Sequence, residues 1–261
     1  MCRMALAVST KRLNRTVVDE IVQCMKKASA DQTMDHEHNK DGRGTFPHSD
    51  GWGILWLNSF GHFASYRSMT PFHEQDLEEI EPVLQHAADS PLFMIHVRKA
   101  SPGIPRGCEY LHPFVRSTKQ GMMAFVHNGT IVNYETLGLV DYADEVLTKS
   151  DSERLFYYLV GRMEWNLDED VKELKDAIEH IPAGSSANFI LVRENPLTVY
   201  ASTNFSDNPK YFTMQYAATE DMLVIASEKL LETPDISWKP LENRKLLKIQ
   251  KVDQKLHWQE Y

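Results

Sequence analysis

The second residue of this 261-residue chain is a cysteine, Cys2, which becomes the first residue once Met1 is removed. A free α-amine has a pKa of about 7.7 to 8.0, so near neutral pH it can act as the general base for its own thiol. An N-terminal cysteine therefore needs no catalytic histidine. An inert, buried thiol is the alternative interpretation of Cys2, because free cysteine is among the most buried residue types.

A second group of residues that could take part in catalysis follows the apolar run GMMAFV and consists of His127, Asn128 and Gly129. An asparagine amide and a backbone N–H left open by glycine are suitable donors for a tetrahedral oxyanion. A tight turn has the same composition. The tripeptide by itself therefore leaves both interpretations open.

Two charged residues lie where apolar or helical patterns begin or end. Arg98 ends the run PLFMIHVR, and its planar guanidinium can bind a carboxylate through two parallel hydrogen bonds. Asp151 lies in SDSE, at the predicted start of a helix, where a carboxylate can cap the helix or hold an ammonium group. A surface salt bridge and a helix cap are the alternative roles of these two residues.

A polar segment over residues 30–50 lacks periodicity and contains an HxH pair, which can place two imidazoles on one side of an extended chain. A metallohydrolase site is therefore a competing hypothesis. Its candidate ligands are Asp35, His36, Glu37, His38, Asp41, His48 and Asp50.

The elements that must position these residues are mostly strands. We predict a strand at Met4 to Val8, a helix through Val17 to Met25, a hairpin around Asn58 and Ser59, and strands at PLFMIHVR and GMMAFVHN. Helices are predicted from SDSE and over Leu167 to His180. Further strands are predicted at ANFILVRE, LTVYAS, YFTMQYAA, MLVIAS and KLLKIQKV, so the pattern favours packed antiparallel sheets covered by helices.

Composition excludes several classes of protein. The chain has 37 acidic and 28 basic residues and a net charge of −9, which argues against a general nucleic-acid binder. Three cysteines are too few for a disulfide framework, and no apolar run reaches membrane-spanning length. We expect a cytoplasmic protein, without membrane or nucleic-acid partners, that forms a single domain over residues 1–261.

Taken in order, the motifs MCR, DGWGI, HVRKAS, HNGTI, SDSE, SANFILV and IASEKL resemble the class II glutamine amidotransferase domain of the N-terminal-nucleophile hydrolases. The resemblance covers roughly residues 2 to 240. It implies an α+β fold, a four-layer α/β/β/α sandwich of two mainly antiparallel sheets. It also implies glutamine or a γ-glutamyl compound as substrate, with no metal or organic cofactor.

The resemblance also implies roles for individual residues: Cys2 as nucleophile, Asn128 and Gly129 as oxyanion hole, Arg98 and Ser101 for the α-carboxylate, and Asp151 for the α-ammonium group. A glutamyl head group is a zwitterion, so one cationic and one anionic partner agree with its chemistry. Pro102 stands where members fused to synthase domains often have histidine, which implies a changed recognition of the carboxylate.

Almost nothing follows the amidohydrolase-like region, so the chain is most similar to the stand-alone branch of the family, which includes γ-glutamyl amidohydrolases. We expect its leaving group to lie in a groove bordered by residues 30–50. The alternatives are a glutaminase subunit that delivers ammonia to a separate synthase partner, the metallohydrolase, and a non-catalytic glutamine-binding protein.

Overall fold

A computed structural model describes residues 2–39, 45–101, 103–163, 167–230 and 236–261 of the chain. Strands dominate this part of the protein and all of their pairings are antiparallel. The strands are β1 (Arg3–Ser9), β2 (Trp52–Leu57), β3 (Phe63–Ser68), β4 (Leu92–Val97), β5 (Phe114–Thr118), β6 (Gly121–Thr130), β7 (Ser186–Arg193), β8 (Thr198–Ser202), β9 (Gln215–Ala218), β10 (Met222–Ala226), β11 (Lys239–Pro240), β12 (Leu246–Val252) and β13 (Lys255–Glu260).

The strands form two sheets that pack face to face. One sheet has the order β11-β9-β10-β1-β4-β2-β3, and the other has the order β13-β12-β8-β7-β6-β5. An apolar core fills the space between them, with Met4 and Leu6 of β1 facing Ala124 and Val126 of β6 across that space. The strand that follows Cys2 is therefore central in the first sheet.

Helices cover the outer face of each sheet. The helices are α1 (Arg15–Ser29), α2 (Glu81–Ala88), α3 (Asp151–Val160), α4 (Leu167–Glu179) and the short α5 (Pro209–Phe212). Helices α1 and α2 pack on the first sheet, while α3 and α4 pack on the second. The result is the predicted four-layer α/β/β/α sandwich.

Side chains alternate between the two faces of a strand, so a strand that is buried on both faces has a continuous apolar sequence. In β1, the small residues Ala5 and Ala7 lie beneath α1, whereas the larger Met4, Leu6 and Val8 point toward the second sheet. Successive side chains of a strand point to opposite faces. Cys2 therefore lies on the inter-sheet side, in line with Met4.

The prediction of one strand over YFTMQYAA was wrong at its start. Residues Pro209–Phe212 form α5, and only Gln215–Ala218 form a strand. Two backbone N–H groups at the start of α5, those of Lys210 and Tyr211, donate to the carboxylate of Glu37 at 2.9 and 3.0 Å. A partner from about 170 residues away in the chain thus stabilises the helix.

None of the helices in the described ranges is both long enough and apolar enough to cross a membrane.

Candidate active site

Cys2 lies at the edge of the inter-sheet core and is 7% exposed. Its backbone N–H donates to Oδ1 of Asn128 at 2.7 Å, and its Sγ lies 3.8 Å from the carbonyl oxygen of Lys99. Asn128 belongs to the second sheet, so this hydrogen bond joins the two sheets at the candidate nucleophile.

His96 is the titratable neighbour of the thiol. Met4 pairs with His96 in the β1–β4 register, which places the His96 ring on the same inner face as Cys2. Burial raises the pKa of the Cys2 thiol and is the largest single effect, but the charge of His96, the charge of the N-terminal amine and hydrogen bonds at His96 and Lys99 together outweigh it, and the resulting pKa is about 6. Since Nε2 of His96 donates to the carbonyl oxygen of His127 at 3.1 Å, the ring orientation is set by the second sheet.

The HNG tripeptide ends β6 rather than forming a turn of its own. Strand alternation turns Asn128 inward to Cys2 and His127 outward to α3, where Nδ1 of His127 lies 2.8 Å from Oγ of Ser152. With its Oδ1 bound to the N–H of Cys2, Asn128 keeps a buried Nδ2 that has no hydrogen-bond partner in the described residues. An amide donor is therefore held beside the nucleophile.

Gly129 follows at a point where the backbone is crowded. A Cβ built at this position would overlap the carbonyl oxygen of Ser186 on the neighbouring strand. Any larger residue would push β6 away from β7 and move the Asn128 amide. The glycine is thus required by packing as well as suited to an oxyanion hole.

The backbone of Arg98 is fixed by the DGWGI motif. Its N–H donates to the carbonyl of Gly51 at 2.8 Å, and its carbonyl accepts from the N–H of Asp50 at 2.9 Å. Gly51 has φ of +93°, a conformation that favours glycine, and Gly53 lies so close to the carbonyl of His112 that a Cβ would overlap it. The two glycines explain why this motif accompanies the arginine.

The side chain of Arg98 is 4% exposed and carries an unused donor. Its Nη2 donates to the carbonyl of Pro105 at 3.2 Å, while Nη1 has no hydrogen-bond partner in the described residues. Leaving a buried charged donor without a partner is costly. An external carboxylate would remove that cost.

Asp151 opens α3, with Ser150 as the N-cap whose Oγ accepts from the N–H of Ser152. One carboxylate oxygen of Asp151 accepts from the N–H of Ile131 at 2.9 Å and the other from Ser152 at 2.9 Å. Ser150 and Glu153 have the spacing of a capping box, but the box is not closed, because buried Glu153 accepts instead from the backbone N–H groups of Leu147 and Thr148 and from Arg116. This carboxylate anchors the loop before the helix.

One pocket brings the predicted residues together. Ser101 lies in its wall, with its hydroxyl 2.8 Å from the hydroxyl of Thr130 at the end of β6. Asn128 adjoins the pocket through its hydrogen bond to Cys2. The pocket is lined by Cys2, Arg98, Lys99, Ala100, Ser101, Ile104, His112, His127, Gly129, Ser150, Asp151 and Ser152.

His112 is a pocket residue that the sequence did not single out. It is buried, its ring lies 4.3 Å from that of His96, and neither ring nitrogen has a hydrogen-bond partner in the described residues. Burial, and then the charge of His96, lower its pKa well below the usual value, so the ring is neutral. A histidine before a proline in LHPF carries no local signal of this position.

The polar segment supplies no lining residue of this pocket, but it packs against the pocket wall, where the carbonyl of Pro47 accepts from Nζ of Lys99 at 2.9 Å and Asp50 accepts from the N–H of Ala100 at 2.8 Å. His36 and His48 are fully buried and lie against Tyr211, and none of the described residues 31–39 and 45–50 appears in the pocket lining. Nor do the described residues include a group of three His, Cys, Asp or Glu side chains placed to hold a metal ion. Met1, Asp41 and Pro102 lie outside the described residues.

Comparison with known proteins agrees with this arrangement. A family model for class-II glutamine amidotransferases matches residues 22–209. The uncharacterized protein MJ1515 of Methanocaldococcus jannaschii is 34% identical over 136 residues, which make up 50% of this chain and 36% of that protein.

Two solved structures share the fold. Glutamine phosphoribosylpyrophosphate amidotransferase from B. subtilis superposes with a TM-score of 0.66 at 16% identity, over 99% of this chain and 49% of that one. A glutamine aminotransferase class-II domain protein from Silicibacter pomeroyi superposes with a TM-score of 0.59 at 18% identity, over 100% of this chain and 98% of that one. The chain thus spans less than half of MJ1515 and of the B. subtilis enzyme, but nearly all of the Silicibacter protein.

Proposed function

Because the chain belongs to the class II glutamine amidotransferases, we propose that it hydrolyses the γ-amide of glutamine or a γ-glutamyl compound through a thioester on Cys2, after Met1 is removed. One observation carries this proposal. Beside Cys2, two buried donors, Nδ2 of Asn128 and Nη1 of Arg98, have no partner in the described residues. An oxyanion and an α-carboxylate are the two anionic groups that a glutamyl substrate would bring to them.

In the proposed reaction the α-amine of Cys2 takes the thiol proton, the thiolate attacks the γ-carbonyl carbon, and a C–S bond forms. The oxyanion accepts hydrogen bonds from Nδ2 of Asn128 and the N–H of Gly129. The α-amine of Cys2, held by Oδ1 of Asn128, gives a proton to the leaving nitrogen as the C–N bond breaks. Water then attacks the γ-glutamyl thioester, the amine takes its proton, and the thiolate leaves.

The head group of the substrate would be held by opposite charges. Arg98 binds the α-carboxylate, assisted by the Ser101 hydroxyl, and Asp151 binds the α-ammonium group. Each carboxylate oxygen of Asp151 already accepts one backbone N–H, which fixes the carboxylate and leaves further lone pairs for the ammonium group. These contacts recognise the part common to all γ-glutamyl compounds.

We favour a self-sufficient γ-glutamyl amidohydrolase over a subunit that delivers ammonia to a synthase. The Silicibacter protein, which this chain covers to 98% of its length, is an example of a protein that consists almost entirely of this fold. The alternative is supported by the B. subtilis enzyme, of which this chain spans 49%. In that case a separate partner would receive the ammonia.

The test is hydrolysis by purified protein whose loss of Met1 is verified by intact mass, assayed against glutamine and a panel of γ-glutamyl amides. We expect one γ-glutamyl amide to be hydrolysed much faster than glutamine, without added protein. Protein that retains Met1 should show little activity, since its Cys2 has no free amine. Equal rates with and without Met1 would refute the role of the amine, and activity only with a co-purifying partner would favour the subunit.

A further inference from the structure

Cys2 is hydrogen-bonded on the side away from the pocket as well as on the pocket side. While Asn128 binds the N–H of Cys2, the carbonyl of Cys2 accepts a hydrogen bond from the hydroxyl of Tyr211 at 3.1 Å. Chain ends fray unless they are tied down, and Cys2 becomes a chain end when Met1 is removed. Tyr211 ties the side of that terminal residue that Asn128 does not reach.

Tyr211 itself is fully buried in a rigid setting. The guanidinium of Arg3 lies 4.0 Å from the centroid of its ring, and Nη1 of Arg3 donates to its carbonyl at 3.1 Å. Arg3 is in turn paired with Glu228 at 3.4 Å. The ring and the backbone of Tyr211 are therefore both fixed to the first strand.

The polar segment completes this setting. Nε2 of His48 lies 2.9 Å from the hydroxyl of Tyr211, and Glu37 accepts from the N–H groups at the start of α5. The rings of His36 and His38 meet the Tyr211 ring edge-on at 4.8 and 4.7 Å. The segment thus packs behind Cys2.

The hydrogen-bond directions follow from the donors available. A phenol has one proton, and the Cys2 carbonyl can only accept, so that proton is directed to Cys2. His48 must then donate from Nε2 to the phenol oxygen. Burial, and then the charge of Arg3, lower the pKa of His48 well below its usual value, so a neutral ring supplies this donor at working pH.

We infer that Tyr211 is a positioning residue for the Cys2 nucleophile, held in place by Arg3, His48 and Glu37. The inference rests on the proposed function, because positioning matters only where the thiol attacks a substrate. A nucleophile must be held close to its attack geometry, and a small displacement is costly in rate. Losing the Tyr211 hydroxyl frees one side of Cys2 without touching the pocket.

The test compares Tyr211→Phe with Tyr200→Phe in protein free of Met1. Tyr200 is a matched control because it is also fully buried and its hydroxyl donates to Asp170 at 2.9 Å. One hydrogen bond is worth about 1 kcal/mol, so Tyr211→Phe should open Cys2 to iodoacetamide about fivefold faster. Exposed Cys108, followed in the same digest by mass spectrometry, should react at an unchanged rate.

The same variants separate positioning from stability. Tyr211→Phe should lower kcat about five- to tenfold with KM unchanged, whereas Tyr200→Phe should lower Tm and leave Cys2 alkylation and kcat as in the wild type. Unchanged Cys2 alkylation in Tyr211→Phe would overturn the inference. So would faster alkylation with wild-type kcat, because Tyr211 would then hold the chain end without serving the reaction.

Two further measurements cover the cases in which Tyr211→Phe does not fold or the wild-type protein is inactive. If Tyr211→Phe does not fold, Glu37→Gln weakens the hold on the Tyr211 backbone and should change alkylation and kcat in the same direction by a smaller factor. Wild-type alkylation and kcat in Glu37→Gln would then count against the inference. If wild-type protein hydrolyses none of the panel, the proposed function fails, and the alkylation rates alone decide whether Tyr211 holds Cys2.

Discussion

Two buried arginines flank the nucleophile, and they differ in one respect. Arg3, behind Cys2, pairs with the carboxylate of Glu228 and packs on Tyr211. Arg98, on the pocket side, donates to the carbonyl of Pro105, lies 5.8 Å from the centroid of the Tyr110 ring, and keeps Nη1 without a hydrogen-bond partner in the described residues. A buried cation is costly unless it is paired, so Arg3 is paired within the chain, whereas Arg98 keeps a donor that a ligand could use.

Two buried asparagines of the second sheet also differ in whether all of their hydrogen-bonding groups have partners. Asn188 pairs with Asn128 across β6 and β7, and both are fully buried. Asn188 accepts from the N–H of Asn204 at 2.8 Å and donates to the carbonyl of Phe212, so it uses both ends of its amide. Asn128 uses only its oxygen within the described chain. Of these two asparagines, the one with an unused donor is therefore the one that adjoins the pocket.

The largest effect is expected from Asn128→Ala, which should lower kcat about 10²- to 10³-fold while the protein stays folded. The reason is the loss of a preorganised donor to the oxyanion. Asn188→Ala should instead mainly lower Tm, because it leaves two buried backbone groups without partners. Steady-state kinetics and thermal unfolding of both variants check this. A folded Asn128→Ala protein with wild-type kcat would reduce HNG to a structural feature.

The next largest effect is expected from replacing each of the two arginines by lysine, which should change KM in one case and Tm in the other. Arg98→Lys keeps the charge but loses the planar fork, and should raise KM for the substrate by about tenfold or more. Arg3→Lys should leave KM unchanged and lower Tm, since it weakens the contacts to Glu228 and Tyr211. The measurement is KM and Tm for both. Equal KM values in the two variants would remove Arg98 from the substrate site.

Asp151→Asn should raise KM by a smaller factor, about five- to tenfold, because the amide keeps an acceptor but loses the countercharge for the ammonium group. An amide substrate that lacks the α-amine provides the control. Wild-type and variant proteins should hydrolyse that compound with similar KM. If the variant is equally impaired on both compounds, Asp151 acts through the structure of α3.

The smallest effect concerns ionisation of the nucleophile. With the pKa of Cys2 at about 6, alkylation of the folded protein should rise only about twofold between pH 6 and pH 8. In urea-unfolded protein the same rate should keep rising toward about pH 8.5. His96→Gln should steepen the profile of the folded protein. A folded wild-type profile as steep as the unfolded one would contradict the lowered pKa.

The lowered pKa of Cys2 also makes the free energy of unfolding depend on pH. The unfolded state binds the thiol proton more tightly, so the free energy of unfolding should rise with pH from about 6 up to the pKa of the unfolded thiol, about 8.5. The contribution is lost as pH falls through about 6. Chemical unfolding at several pH values, compared with Cys2→Ala, measures it.

The local sequence pattern was sufficient to predict helices that are stabilised by their own caps and strands that consist of one continuous apolar run. Asn14 and Ser150 cap α1 and α3, and the apolar runs of β1, β4 and β6 lie where the sequence predicted strands. It failed at α5, which depends on Glu37. It also gave no account of His36 and His48, which are buried against Tyr211, a contact that no periodicity encodes.

The sequence by itself determined which residues can carry the chemistry, because a thiol, an amide, a guanidinium and a carboxylate are covalent properties of Cys2, Asn128, Arg98 and Asp151. The resemblance singled out Arg98, but only the tertiary structure shows the physical difference between the two arginines, which is that Arg98 alone of the pair keeps an unused donor. Arg3 and Arg98 each adjoin an apolar run, and nothing local distinguishes them. The partner of Arg3, Glu228, is brought to it by packing, whereas the space beside Arg98 is left to the pocket. Long-range packing settles that difference because it alone determines which buried charges are paired.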